Sequence, residues 1–566
     1  MAVAAARAAV NRWVAIFFLA IVVLFAAANR PAYNSFFASD DLDNIANARE
    51  AELSYYAKTL VNPIGQADTV FRPVPAFYYW VMARTAGLHF APYVAVIQLI
   101  HLLNVALVFF LARSLGATRI GACAASALFA FHAAMLTIYL RPMYVFDLVC
   151  ATCILATLLA FAHGRLIASL VFFWLALKSK ELAIFLPLAL LAMVSARRSL
   201  GSRVKGAATA DLLPTLPFFA ISALFGISAL LHNAGRDNDY SLRFTAAALS
   251  TCARFYASKL VLAPALIGFV AIAAVLLFTR NPLVRIGLAT FVSLMLVLLV
   301  LPGRLYSAYL YCGFIGLALA LSACARPAWL AVFFALWIPW NYRQFRIDRS
   351  TELAEARERA AWFAPVARFI PLHPGVDTYV YQNRPESLAE FGVTGAIKSL
   401  RPVSTETKIV DADTPARSAA MASPQAALLL WNPVLGTTEV MEREPARSFL
   451  ELNYFTPPWQ LVEGWSGVDF SYRWIGPHAE ARLSRAGNTF EITAFVPDVF
   501  LKQSAEYRVG VSLNGSSIGT AVFNRTEPQT VRFTLPAGLA DAVDVTFDVT
   551  PATGTRGLPI VSFGFK

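Results

Sequence analysis

Charge is scarce in this chain. Only 14% of its 566 residues are Asp, Glu, Lys or Arg, against 58% hydrophobic, and mean hydropathy is +0.58. That balance excludes an ordinary soluble protein of this length and points to a polytopic membrane protein. Cysteine is scarce too. The six that occur (Cys123, Cys150, Cys153, Cys252, Cys312 and Cys324) lie in or beside apolar runs, and none follows Cys324, so no disulfide framework is implied. Cys150 and Cys153 form a C-x-x-C inside an apolar run with no second pair, which reads as packing. Groups with metal-ligand spacing are lacking as well. Acid is scarcest where the chain is most apolar: the first 340 residues carry an excess of about fourteen positive charges, and the remainder is close to neutral. The sequence pI of 9.5 therefore reports loops beside anionic headgroups and does not argue for nucleic acid.

Apolar runs of spanning length are predicted near 12–29, 93–112, 118–139, 146–162, 166–178, 181–195, 212–231, 259–279, 283–302, 306–324 and 327–341, eleven in all. Residues 166–195 read either as two short helices meeting at Lys178-Ser179-Lys180-Glu181 or as one helix broken there. Arg7 and Arg12 precede the first run, which is long for a signal peptide and reads as a retained anchor. Alternate loops hold Arg113, Arg119, His163, Arg165, Arg197, Arg198, Arg203, Lys205, Arg280, Arg285 and Arg326 with the single acid Asp211, so the N-terminal side is expected to be cytoplasmic. The opposite face receives Asp40, Asp41, Asp43, Glu50, Glu52, Asp68, Asp147, Glu181, Asp237 and Asp239, with Arg72, Arg141, Lys178, Lys180 and Arg304 among them. Acids and bases crowded on one face suit a site for a charged substrate. The other face is merely basic.

The loop at 30–92 is too long for a connector. Ile45–Leu60 and Pro75–Leu88 mix apolar faces with charge, as helices lying flat on a bilayer do, and such helices could roof a groove through which a lipid enters.

Several short motifs fall in one order: Asp40-Asp41 in the first outer loop, Phe71-Arg72-Pro73-Val74, His101-Leu102-Leu103-Asn104, Leu128-Phe129-Ala130-Phe131-His132 followed by Asp147, Ser179-Lys180-Glu181 with Leu186-Pro187, and Arg304-Leu305-Tyr306. In this the chain resembles the GT-C superfamily of membrane glycosyltransferases over roughly residues 10–325, and most of all the bacterial relatives of the O-mannosyltransferases. Ala133 and Thr137 stand where that subfamily has Pro and Glu, and no tetratricopeptide tail follows. The resemblance implies a sugar donor carried on a polyprenyl phosphate, a lipid, polysaccharide or protein acceptor, and inverting transfer on the outer face of a bacterial inner membrane. It gives Asp40 as general base, with Asp41 and Asp147 as further acids.

A departing lipid phosphate needs positive charge, for which Arg304 is the first candidate, followed by Lys180, Arg72 and Arg141, with Tyr306 alongside. Each cation has a plainer reading as an interfacial snorkelling side chain, and Lys180-Glu181 as a structural ion pair at a helix break. Glu181, His132, Trp465 and Trp474 are candidate acceptor or glycan contacts; a packing role competes for the histidine and the tryptophans. No cofactor is required, although a divalent cation beside Asp40 and Asp41 stays open. Two other classes compete: a polymerase or ligase of polyprenyl-linked glycans, and a lipid or glycan transporter.

The expected architecture is a GT-C-like transmembrane domain at 1–342, a small mixed α/β region at 343–449, and a β-sandwich at 450–566 that resembles the jelly-roll modules, often carbohydrate-binding, of some bacterial GT-C proteins. Helix is expected at Ile347–Ala367 and within Glu386–Leu400, and strands at Thr378–Tyr381 and Ala427–Trp431. Short alternating runs at Phe490–Phe495, Tyr507–Leu513, Val531–Leu535, Val543–Val549 and Val561–Phe565, with a hairpin turn at Asn514-Gly515, carry the sandwich.

Overall fold

A computed structural model describes residues 2–62, 72–201, 212–233, 239–261, 280–414, 416, 420–421, 423–442, 445–454, 456, 458–535, 540–552 and 557–566. Phe71, Asp68, Asp237 and most of the span expected at 259–279 lie outside them. Two compact units emerge, Met1–Arg357 and Glu358–Lys566.

The first unit is helical. Among the described residues four segments are long and apolar enough to cross a membrane: Arg12–Asn34, Phe90–Ser114, Pro142–Ala162 and Pro282–Val300. A fifth is a bent pair, Arg119–Phe131 with Ala133–Tyr139, turned by 64° at His132. Shorter apolar helices cover Leu166–Leu177, Glu181–Ala196, Leu213–Ser228 and Ser307–Ser322. The elements used below are α1 (Ala2–Asn29), α2 (Ser39–Glu50), α3 (Leu53–Val61), α4 (Pro73–Thr85), α5 (Phe90–Ser114), α6 (Arg119–Phe131), α7 (Val145–Ala162), α8 (Leu166–Leu177), α9 (Leu186–Gly201), α10 (Leu216–Asn233), α11 (Ala246–Val261), α12 (Pro282–Met295), α13 (Leu310–Ser322) and α14 (Pro327–Leu372). The long first loop holds α2, α3 and α4. Its first stretch is not one helix from Ile45 to Leu60, because the chain extends at Ala51 and Glu52.

Helix α13 is packed on several sides. Where it crosses α12, two glycines meet: a Cβ on Gly287 would lie 2.5 Å from the Gly316 carbonyl, and one on Gly316 would lie 2.3 Å from that of Gly287. Small residues that let backbones touch are a strong source of helix association where water supplies no hydrophobic drive. Hydropathy falls at Asn341, yet α14 continues to Leu372 as one helix of 46 residues from Pro327, so the charged helix expected at 347–367 lies in its second half. The two units divide within it.

The second unit carries two sheets. Strand β1 (Thr378–Gln382) lies parallel to β2 (Lys408–Asp411) and β3 (Ala426–Asn432), with β4 (Thr437–Glu442) antiparallel on the edge. Helix α15 (Glu390–Leu400) makes the crossover from β1 to β2. Both β1 and β3 are buried at every position, the pattern of parallel strands covered on both faces. The larger sheet runs β10-β9-β12-β7-β13-β8-β11, with β5 (Phe449–Glu451) on β13 and β6 (Leu461–Asp469) on β7. Its other strands are β7 (Tyr472–Ser484), β8 (Thr489–Ala494), β9 (Tyr507–Leu513), β10 (Ser516–Phe523), β11 (Gln529–Thr534), β12 (Ala542–Thr550) and β13 (Pro559–Phe565). The long β7 pairs with β12 along one half and with β13 at Arg473 and Trp474. The sheet folds over there until edge strands β10 and β11 meet at Gly519 and the Phe533 ring, enclosing one apolar core. Asn514 and Gly515 both take positive φ at the β9–β10 hairpin.

Gly316→Leu is expected to lower the unfolding midpoint in detergent by more than ordinary overpacking, about 1–3 kcal/mol, because the added atoms meet backbone. Gly375→Ala, whose Cβ meets nothing within 4 Å, is expected to leave the midpoint unchanged. Thermal denaturation followed by circular dichroism checks both.

Candidate active site

The acid pair opens α2, where the positive end of the helix dipole favours carboxylates. Asp41 is fully buried and turned back on its own helix start. Its Oδ2 accepts the Ala38 N–H at 2.7 Å, and its Oδ1 accepts the Tyr79 hydroxyl at 2.7 Å. Burial pushes its pKa up to about 6 against the pull of those two hydrogen bonds. Asp40, one residue earlier, remains partly exposed. Burial raises its pKa as well, opposed by the guanidinium groups of Arg304 and Arg141, which stand close enough to act on it. Asp41 is thus the clamp that fixes the first turn, and Asp40 is the carboxylate presented.

Three of the cations named from sequence are neutralised where they stand. Lys180 Nζ lies 2.7 Å from both carboxylate oxygens of Asp147, and both side chains are buried. Arg72 forms a fork on Glu181, with Nε 2.9 Å from Oε1 and Nη2 2.7 Å from Oε2, about a third exposed on each side. Arg141 spans two acids of α14, at 2.5 Å to Glu352 and 2.7 Å to Glu355.

Arg304 differs. Among the described residues it makes no ion pair. It donates to the Tyr309 hydroxyl at 3.1 Å and lies 4.5 Å from the Tyr240 ring centroid and 4.9 Å from that of Tyr306. Its buried Nε has no hydrogen-bond partner among the described residues. Backbone packing holds the loop: a Cβ on Gly303 would meet the Asp239 backbone at 2.8 Å, and Arg243 N–H donates to the Val300 carbonyl at 2.8 Å. Tyr240 and Tyr306 are exposed by about half, so the guanidinium sits in an open aromatic frame. The network continues through Tyr309, whose ring faces Lys180 Nζ at 4.0 Å. Asp40, Arg304, Lys180, Asp147, Arg72 and Glu181 therefore belong to one end of the bundle, built from the start of α2, the break between α8 and α9, and the turns before α7 and α13.

The remaining candidates sit elsewhere. His132 Nδ1 accepts the Ala134 N–H at 3.2 Å while Nε2–H donates to the Leu260 carbonyl at 3.2 Å, which fixes a neutral ring as a patch for the helix break. Asn341 completes that patch, accepting from Ala133 N–H at 2.7 Å and donating to the Phe131 carbonyl at 2.6 Å. Trp465 is a core residue, stacked at 5.2 Å on Phe563, with its indole N–H given to the Glu480 carbonyl. Trp474 packs on Phe500 at 5.6 Å. The Trp465 ring is thus not a free glycan platform, whereas Trp474 stays partly exposed. A divalent cation does not fit the acid pair. Both oxygens of Asp41 accept hydrogen bonds, two guanidiniums flank Asp40, and no group of three or more His, Cys, Asp or Glu among the described residues could hold an ion.

Sequence reading missed Tyr79, Tyr240, Tyr309, Glu352 and Glu355. Tyr309 carried a faint signal, five residues after Arg304 at a helix start. The glutamates lie in a charged helix and carried none.

Two outcomes follow from this geometry. Asp41 titrates near pH 6 when folded and near 3.8 otherwise, so the folded protein holds its proton longer, and stability falls as pH rises through that window. Asp41→Asn is expected to flatten the part of the pH 4–6 melting profile due to this group, of the order of 3 kcal/mol at most. Lys180→Met strands the buried Asp147 carboxylate and is expected to cost about 3–5 kcal/mol, whereas Lys180→Met with Asp147→Leu recovers folded yield by size-exclusion chromatography. No family model matches the chain, and no curated protein matches it either.

Proposed function

We propose that the chain is a GT-C-like glycosyltransferase with about eleven spans, moving a sugar from a polyprenyl-phosphate carrier to an acceptor at the periplasmic face of a bacterial inner membrane. The observation that carries this reading is that Asp40, a partly desolvated carboxylate, stands within electrostatic reach of Arg304, a guanidinium that no acid among the described residues neutralises. A transfer that releases a phosphate needs both at once. The basic loops support an orientation with the N-terminus in the cytoplasm and the C-terminal unit in the periplasm.

In the reaction an acceptor hydroxyl attacks the anomeric carbon from the face opposite the phosphate. The new C–O bond forms as the anomeric carbon–phosphate oxygen bond breaks, the hydroxyl proton passes to Asp40, and the lipid phosphate leaves with the bonding electrons. Asp40 suits the proton transfer because burial brings its pKa toward the working range, and the Asp41 clamp holds it in place. Arg304 suits the phosphate because the charge it meets develops in the transition state. Lys180, Arg72 and Arg141 hold the cleft wall through their acids.

The test is transfer from a polyprenyl-phosphate sugar by the purified full-length protein, with release of lipid phosphate as readout. Asp40→Asn is expected to lower the rate by about 10²–10⁴ and Arg304→Ala by about 10²–10³. The wild-type rate should fall on acidification already above the ordinary carboxylate range, since protonated Asp40 cannot accept. Undiminished transfer by Asp40→Asn would remove the mechanism. Lipid diphosphate as product would favour a polymerase or ligase, and no released lipid a transporter.

A further inference from the structure

At the other end of the bundle, α7 and α8 are joined by the tight turn His163-Gly164-Arg165. Gly164 takes φ +72°, and the Arg165 N–H closes back on the Ala160 carbonyl at 2.9 Å. That turn stands roughly 24 Å from Asp147 along α7, at about 1.5 Å per residue, and so is remote from the acid site. Between α5, α7 and α8 lies a groove of about 320 Å³, walled by Leu107, Ala156, Leu159, Ala160, Ala168 and Phe172, with His163 and Arg165 also lining it. Beneath it Ser169 Oγ donates to the Thr157 carbonyl at 3.0 Å, tying α8 to α7.

The two ends of this groove ask for different things. Its wall is apolar, while His163 and Arg165 are both exposed. Among the described residues no acid pairs with Arg165. His163 Nδ1–H is given to the Leu159 carbonyl at 2.8 Å, which holds the ring at the rim of the groove. Arg165 also stands at the N-cap of α8, where the helix dipole is positive. An occupant has to join an acyl chain to a negative head.

We propose that this groove binds one anionic phospholipid of the leaflet opposite the acid site, its phosphate held by Arg165 and His163 and one acyl chain along the α5–α7–α8 wall. The carrier of the proposed transfer, held at the far end, does not serve as this lipid, so the inference stands apart from that reading.

The experiment is native mass spectrometry of the full-length protein after exchange into detergent containing phosphatidylglycerol or phosphatidylethanolamine. Wild type is expected to retain one phosphatidylglycerol in preference to phosphatidylethanolamine. Arg165→Ala should cut that preference about fivefold, from roughly 1 kcal/mol per basic group near an anionic surface, and His163→Ala by less. Ala160→Trp, which fills the groove, should expel both lipids while the melting profile stays cooperative. Equal retention of the two lipids by wild type overturns the proposal, as does phosphatidylglycerol that survives both Arg165→Ala and Ala160→Trp.

Discussion

The buried ion pair of Asp147 and Lys180 is the contact on which the site depends. Inside a helical bundle of this kind an unpaired charge is costly, and a paired one is tolerable only when its remaining valences are met. Here Asp147 starts α7 and Lys180 ends the turn after α8, so the pair staples a helix start to a helix break. The lysine's other side faces the Tyr309 ring. Tyr309 in turn takes a hydrogen bond from Arg304. One neutralised pair thereby sets the place of the one guanidinium in the cluster that is not neutralised by an acid among the described residues.

Pairing also decides which of several similar side chains can do chemistry. Four cations face the same end, but carboxylates already occupy Lys180, Arg72 and Arg141. A phosphate approaching any of those three would have to displace an acid at 2.5–2.7 Å. At Arg304 it would displace no carboxylate among the described residues. The acids divide in the same way. Asp41 spends one oxygen on its own helix start and the other on holding α2 to α4, Asp147 and Glu181 are paired, and Asp40 keeps its carboxylate for an outside partner. Two adjacent aspartates are thus separated into a clamp and a presented group by a single residue of helix phase.

Hydropathy and charge made part of this legible. The apolar runs at 12–29, 93–112, 146–162 and 283–302 coincide with the four long candidate spans, and the alternating runs near 490, 507, 531, 543 and 561 each form a strand. Gathering acids and bases on one face named side chains that the structure also groups, because loops at one end of a bundle have few places to go. Pairing was not legible. Which acid meets Arg141 depends on α14, a helix whose carboxylates lie more than two hundred residues away in sequence. The long strands β6 and β7 escaped notice because Gly464 and Pro477 interrupt the alternation, and the bulged β6–β7 pairing absorbs the mismatch. His132 drew attention as an ionisable group within an apolar run, yet its two ring nitrogens serve the backbone.

That histidine shows what the breaks in these helices accomplish. A continuous helix satisfies its own backbone and has nothing to offer a substrate; a broken one exposes N–H and C=O groups that must find partners inside the bundle. At the bend after Phe131 the partners are His132 and Asn341, both buried, and the break is sealed. Between α8 and α9 the residues of the break are instead tied down through charged side chains, Lys178 on the Asn62 carbonyl and Lys180 on Asp147. At the turn before α13 the seal is incomplete, for Arg304 Nε is buried with no hydrogen-bond partner among the described residues. The three breaks form a series from closed and neutral, through closed and charged, to open and charged. An incoming anion would complete the last of them with the hydrogen bond that Arg304 Nε lacks among the described residues.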